Sequence, residues 1–197
     1  MRQLTCLILE SSKNIYQNYK VRIQMKKRVI LVGGAASGKD YARKCLEAAG
    51  YVYQVSYTTR PPREGEVHGH DYFFISDDEF AEMTVEGVWY EHISFNGWQY
   101  GTTKEQFKTE RSVLIMTPSG LSHLAEEDRV ESLIVYFNIQ EEMRRRRLMQ
   151  RNDGNDKVER RLAADEKDFE GFTDYDIQEV NPLFNEVILV SNISQIV

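Results

Sequence analysis

Cysteine is nearly missing from this chain: only Cys6 and Cys45 occur in 197 residues. Two thiols so far apart give neither a disulfide framework nor a zinc-ligand spacing, and they point to a reducing cytoplasm. Long apolar runs are missing too; nothing approaches the roughly 20 apolar residues a membrane-spanning helix needs. There is no excess of positive charge either. The 25 Lys and Arg are outnumbered by 31 Asp and Glu, for a net charge of −6. That balance argues against nucleic acid or an anionic membrane as the main partner. The chain has no repeats and no low-complexity stretch. In this setting the sequon Asn192-Ile193-Ser194 is a chance match, and a monomer or homodimer is expected. A short apolar patch at 4–9 lacks the small-residue pattern of a secretion signal. Residues 1–24 are therefore expected to form an extension ahead of a domain spanning 25–197.

Apolar residues make up 41% of the chain, enough for a sizeable core. Apolar, β-branched runs recur at 29–32, 51–55, 113–116, 133–137 and 187–190, with helical spacing between most of them. Continuous apolar strands alternating with helices predict an α/β fold of three layers around a parallel sheet. Two regions interrupt this rhythm. In the first, 58–101, Ser76-Asp77-Asp78-Glu79 is a capping box that predicts a short helix with Phe80 and Met83 facing inward and Gly87 ending it. Short antiparallel strands are expected around that helix, at 71–75, 88–93 and 98–100. The second region, 140–170, is polar and rich in arginine.

The stretch Gly33-Gly34-Ala35-Ala36-Ser37-Gly38-Lys39-Asp40 follows the first apolar run. After it, Ala42, Cys45, Leu46 and Ala49 keep helical spacing, and Gly50 stands where a helix C-cap belongs. Strand, glycine-rich turn, lysine and helix are the parts of a P-loop. Its backbone N–H groups and helix dipole cradle phosphates, while Lys39 would neutralise charge between the β- and γ-phosphates of a nucleoside triphosphate. Asp40 stands where Ser or Thr is usual, and a carboxylate there is a candidate Mg²⁺ ligand.

Further on, Ser56-Tyr57-Thr58-Thr59-Arg60-Pro61-Pro62-Arg63-Glu64-Gly65-Glu66 is followed by Gly69, Asp71, Tyr72 and Phe74, then Glu91, then Tyr100-Gly101-Thr102. In order and spacing this resembles the acceptor region of guanylate kinases. With the P-loop, the resemblance covers about 27–110 closely and 130–192 loosely. It implies a P-loop fold with a small α+β nucleoside-monophosphate-binding insertion at 55–106 and a helical lid at 140–170. The implied reaction is transfer of the ATP γ-phosphoryl group to GMP or dGMP with Mg²⁺. Arg60, Arg63, Tyr72 and Tyr100 would hold the acceptor phosphate; Ser56, Glu91 and Thr102 would read guanine. Chemistry agrees for Glu91, because guanine offers N1–H and N2–H side by side to a carboxylate and adenine has no such pair.

Residues 141–151 read as a helix with Arg144, Arg147 and Arg151 on one face. Arg147-Leu148-Met149-Gln150-Arg151 and Arg161-Leu162 match the lid arginines of the family, which implies that Arg147, Arg151 and Arg161 close over ATP; Arg145 is left to solvent. The acidic loop at 152–156 lacks the glycine and glutamate of a calcium site and reads as a mobile lid loop. His68-Gly69-His70-Asp71 reads as a turn.

The pattern departs from the family at Met116-Thr117-Pro118-Ser119-Gly120, where guanylate kinases usually carry Asp-x-Asp. Strict GMP selectivity is thereby open. A kinase acting on another nucleotide or a sugar phosphate, and a non-catalytic binding module, are the alternatives. The surviving Gly38, Lys39 and lid arginines weigh against the module.

Overall fold

In the computed structural model, which describes residues 26–151 and 158–197, the first apolar run becomes the middle strand of a five-stranded parallel sheet. This strand, β1 (Arg28–Gly33), is buried at every position. Its neighbours are the later strands Ser112–Ile115 and Ser132–Phe137, with β2 (Val52–Tyr53) and Ile177–Glu179 at the two edges. Side chains alternate across a strand, so β1 feeds two cores. Val29 and Leu31 pack with Ala42 and Leu46 of the helix Lys39–Ala48 and with Leu189 and Ile193 of the C-terminal helix. Ile30 and Val32 pack on the opposite face with Phe107 and Leu121. That double burial is the three-layer fold the apolar runs predict.

One expected strand is a helix. Residues 187–190 lie within the helix Glu186–Ser194, and the edge strand is Ile177–Glu179 instead. The Asn185 side chain accepts a hydrogen bond from the Ile188 N–H at 3.1 Å, which caps the helix. Leu189 and Ile193, four residues apart, bury into the core while Val187 and Ile188 face outward. A short apolar run does not distinguish a buried strand from a helix stripe, and here the cap and the i, i+4 burial decide for helix.

A second sheet of four strands forms from the irregular region. In chain order these are β3 (Tyr57–Thr58), β4 (Phe73–Phe74), β5 (Trp89–Phe95) and β6 (Trp98–Thr103). The capping box at Ser76 forms as expected and starts the helix Asp77–Val85, whose Phe80 ring stacks on Trp89 at 4.5 Å. Strands β5 and β6 are antiparallel, but β4 pairs in parallel with β3, contrary to the antiparallel expectation. The chain leaves β3 through Pro61-Pro62 and re-enters the sheet in the same direction, which a tight hairpin would not allow.

The arginine-rich region folds as two helices, here α6 (Glu141–Arg151) and α7 (Val158–Asp168), the sixth and seventh in chain order among the described residues. Leu148 and Leu162 meet Ala36 of the glycine-rich loop, so a small apolar cluster seats both helices on that loop. Residues 1–24 and the 152–156 stretch lie outside the described residues. Among the described ones, no helix is long and apolar enough to cross a membrane.

Candidate active site

The glycine-rich loop leaves β1 at Gly33 and enters the following helix at Lys39. Gly38 takes φ 110°, a conformation that favours glycine, and a Cβ there would also stand 3.2 Å from the Phe184 ring. The Lys39 ammonium lies back across the loop and donates to the carbonyls of Gly33 and Gly34, the latter at 3.0 Å. Ser37 is buried beneath the loop, and its hydroxyl makes no hydrogen bond. Asp40 opens the first turn of the helix and is exposed on the wall of a cleft.

That cleft runs from the loop to the second sheet. It gathers Gly33, Ala35, Ala36, Lys39 and Asp40 on one side, Ser56, Arg60, Arg63, Tyr72, Glu91 and Tyr100 on the other, and Arg161 from α7. The sequence-predicted residues thus meet around one space, although they come from both sheets and from α7. Thr102 stands behind the wall, with Gly34, Ser37 and Gly38 in the body of the loop. Arg147 reaches the back of the loop, donating to Ala36 O at 3.0 Å and Pro182 O at 2.6 Å. The Arg151 side chain lies outside the described residues. Arg145 pairs with Glu141 and Glu159 on the exposed side of the helix.

Glu66 sets the geometry of Arg60 and Arg63. Its carboxylate accepts both Arg60 Nη2 contacts at 2.9 Å and the Arg63 backbone N–H at 2.8 Å. The Arg60 guanidinium also lies over Tyr72, 5.4 Å from the ring centre. Burial works against its charge, yet the bonds to Glu66 hold its pKa above the ordinary arginine value. Tyr72 and Tyr100 stand edge to face with centroids 6.0 Å apart.

The pairing of β5 with β6 places Glu91 opposite Thr102, after a register shift between Trp89 and Glu91. Glu91 is 6% exposed. Burial pushes its carboxyl pKa up, partly offset by the neighbouring Thr102 hydroxyl and the charge of His123. Thr102 Oγ1 is buried beside the Glu91 carboxylate, behind the cleft wall. Gly120 closes in from the 116–120 stretch, where an added Cβ would lie 3.3 Å from Glu91 Oε2. That stretch forms a short helix, Pro118–Leu121, capped by Thr117.

Several cleft residues carry no motif in the sequence. Asp165 and Asp168 project from α7 one turn apart, and both line the cleft. The Asp165 carboxylate oxygen Oδ2 accepts from Ala35 N–H at 2.7 Å and from Arg144 Nη1 at 2.5 Å. The Asp168 carboxyl, facing the Ser119 backbone N–H, is pushed up from 3.8 to about 6 by burial and then by the charge of Asp165. Arg160 on α7 donates to Asn96 O at 3.0 Å and lies over the Trp98 ring, tying that helix to the β5–β6 hairpin. The i, i+3 spacing of the two aspartates was legible, but only tertiary structure shows where that face points.

The Asp168 shift has a definite sign. A carboxyl whose folded pKa lies above its unfolded value favours folding most while protonated. Stability is therefore expected to fall as pH rises from about 4 to about 6 on this account, and to stay level above that. Thermal melts of Asp168→Asn and the unmodified protein across that window check it: the variant should lose this component of the slope, and parallel curves would contradict the assignment.

Strand, glycine-rich turn, helix and the cleft beside them define a P-loop α/β protein. The family model for guanylate kinase matches residues 25–193. A guanylate kinase of Geobacter metallireducens is 33% identical over 170 residues, covering 81% of this chain and 84% of that protein. One from Rubrobacter xylanophilus is 32% identical over 163 residues, covering 78% and 85%. The crystal structure of guanylate kinase from Anaplasma phagocytophilum superposes with a TM-score of 0.63 at 22% identity, covering 89% of this chain and 86% of that one, a likeness of fold. The chain belongs to the guanylate kinase family.

Proposed function

We propose that this protein is an ATP-dependent nucleoside monophosphate kinase transferring the γ-phosphoryl group of ATP to GMP or dGMP. The observation that carries the reading is the single cleft in which Lys39 and the glycine-rich loop face Arg60, Arg63, Tyr72 and Tyr100, with Glu91 at the inner wall. The loop N–H groups and Lys39 would hold the donor phosphates. Arg60, Arg63, Tyr72 and Tyr100 would hold the acceptor phosphate, whose ionised oxygen is already a nucleophile and needs no general base. Glu91, Thr102 and Ser56 would read the base: the buried carboxylate accepts N1–H and N2–H together, and a hydrogen bond to it offsets the cost of its burial. Arg147, Arg151 and Arg161 would spread the charge of the migrating group. Catalysis is positioning and charge neutralisation, with no covalent intermediate. Free Cys45 fits a reducing cytoplasm, and we infer action there as a monomer or homodimer.

An Mg²⁺ ion supplies charge neutralisation on the phosphates in such reactions. Asp40 would hold it; its exposure on the cleft wall next to Lys39 supports this. No group of three or more His, Cys, Asp or Glu side chains forms a metal site among the described residues, so phosphate oxygens and water would complete the shell. Asp40→Ala should raise the Mg²⁺ concentration for half-maximal rate severalfold, and Asp40→Ser should recover much of the loss. Mg²⁺ titrations of initial rate at saturating ATP check this; superimposable curves would assign Asp40 to the helix start alone.

The reading as a whole is tested by ADP release across a panel of nucleoside monophosphates. Turnover is expected on GMP and dGMP, and activity on none of the panel would overturn it.

A further inference from the structure

The glycine-rich loop already holds an anion belonging to the chain. Asp165, 5% exposed, reaches from α7 so that one carboxylate oxygen receives the Ala35 backbone N–H at 2.7 Å and the Arg144 guanidinium at 2.5 Å. A backbone N–H and a guanidinium converging on one anionic oxygen are the donors that bind a phosphate oxygen. The position is crowded: a Cβ on Gly34 would stand 2.7 Å from the same carboxylate oxygen and would also run into Arg144. Three carbonyls of the loop are likewise engaged from within, Gly33 O and Gly34 O by Lys39 and Ala36 O by Arg147.

We propose that Asp165 is a phosphate mimic that occupies the glycine-rich loop of the free protein, and that a polyphosphate must displace it to bind. The inference rests on the phosphate-binding reading of Gly33 to Asp40. Displacement releases the Ala35 N–H and the Arg144 guanidinium together, and both then face the incoming phosphates. Two consequences follow for specificity. An anion of low charge, such as inorganic phosphate, offers too little to exchange for a charge-assisted pair and is kept out. A polyphosphate that engages several loop N–H groups and Lys39 at once does displace it. Asp165 is thus a specificity-determining residue that acts by competition, and α7 moves its carboxylate away from the loop when nucleotide arrives. The opposing account, a carboxylate that merely braces the loop in its binding shape, predicts the opposite sign on substitution.

Asp165→Asn keeps the shape and removes the charge. Calorimetric titration with ATP, and separately with pyrophosphate, should show binding about tenfold tighter than the unmodified protein, the gain from freeing a competent state held to roughly a tenth of the population. Inorganic phosphate should bind to the variant more tightly than to the unmodified protein. A second measurement needs no substitution: the Asp165 carboxyl ¹³C resonance of the unmodified protein should shift as pyrophosphate saturates it, together with the Ala35 amide. Equal or weaker ATP binding by the variant, or an Asp165 resonance unmoved at saturation, overturns the inference while ATP binding by the unmodified protein leaves the kinase reading standing. Failure of the unmodified protein to bind ATP at all overturns both.

Discussion

Lys39→Ala is expected to lower kcat by roughly a hundredfold or more, the scale on which removing one preorganised electrostatic stabiliser is felt. Lys39 is the cation of the loop itself, inside the cleft and tied to Gly33 O and Gly34 O. From there its ammonium has only to turn from carbonyl oxygens to phosphate oxygens, while the loop keeps the Ser37 N–H to Gly34 O bond at 3.2 Å. The loss should therefore fall on turnover and ATP use, with the loop and the sheet beneath it intact. Initial rates of ADP release at saturating GMP, alongside circular dichroism of both proteins, measure it. Near-normal turnover in a folded variant would mean that the loop does not hold ATP.

Glu91→Gln is expected to reduce kcat/KM for GMP by about 1–3 kcal/mol, the worth of a charged hydrogen-bond pair. The amide offers a donor where guanine presents one, so the loss should be specific to the base. Any weak AMP activity should fall less. Burial already pushes the Glu91 carboxyl upward, so the unmodified enzyme should lose GMP efficiency in acid at a pH above that of an ordinary glutamate. The variant, which resembles the protonated form, should lack that inflection. Equal losses on GMP and AMP would make Glu91 a structural residue and remove the main support for guanine reading.

Much of this site was legible because its residues lie in contiguous, spaced motifs. The P-loop needs a strand, a turn and a helix in immediate succession, and β1 through the helix Lys39–Ala48 provides them. Glu91 could be singled out because neighbouring Trp89, Tyr90 and Ile93 mark a half-buried strand, and the register opposite Thr102 then completes the pair. Asn96-Gly97, a two-residue hairpin signal, could have bounded β5 and β6 more sharply. Residues 187–190 were misread as a strand because four apolar residues in a row fit either period. The true edge strand, Ile-Gln-Glu at 177–179, has too little apolar content to announce itself. Glu66 stood in the motif, but only the fold shows it clamping Arg60 and Arg63. Asp165 and Arg144 were beyond sequence reading, since their meeting depends on how α6 and α7 pack through Leu148 and Leu162 onto Ala36.

Helix α7 touches the phosphate loop through Leu162 and Asp165 and grips the β5–β6 hairpin through Arg160 at Asn96 and Trp98. One helix therefore touches both the loop side and the hairpin side of the cleft. If filling one side of the cleft shifts this helix, the other side is presented with a changed surface, and thermodynamic reciprocity fixes the exchange: whatever factor a bound donor applies to acceptor affinity, a bound acceptor must apply to donor affinity. On that condition a substitution at Arg160, which holds the hairpin end of the helix, should alter the mutual factor in both directions by the same amount.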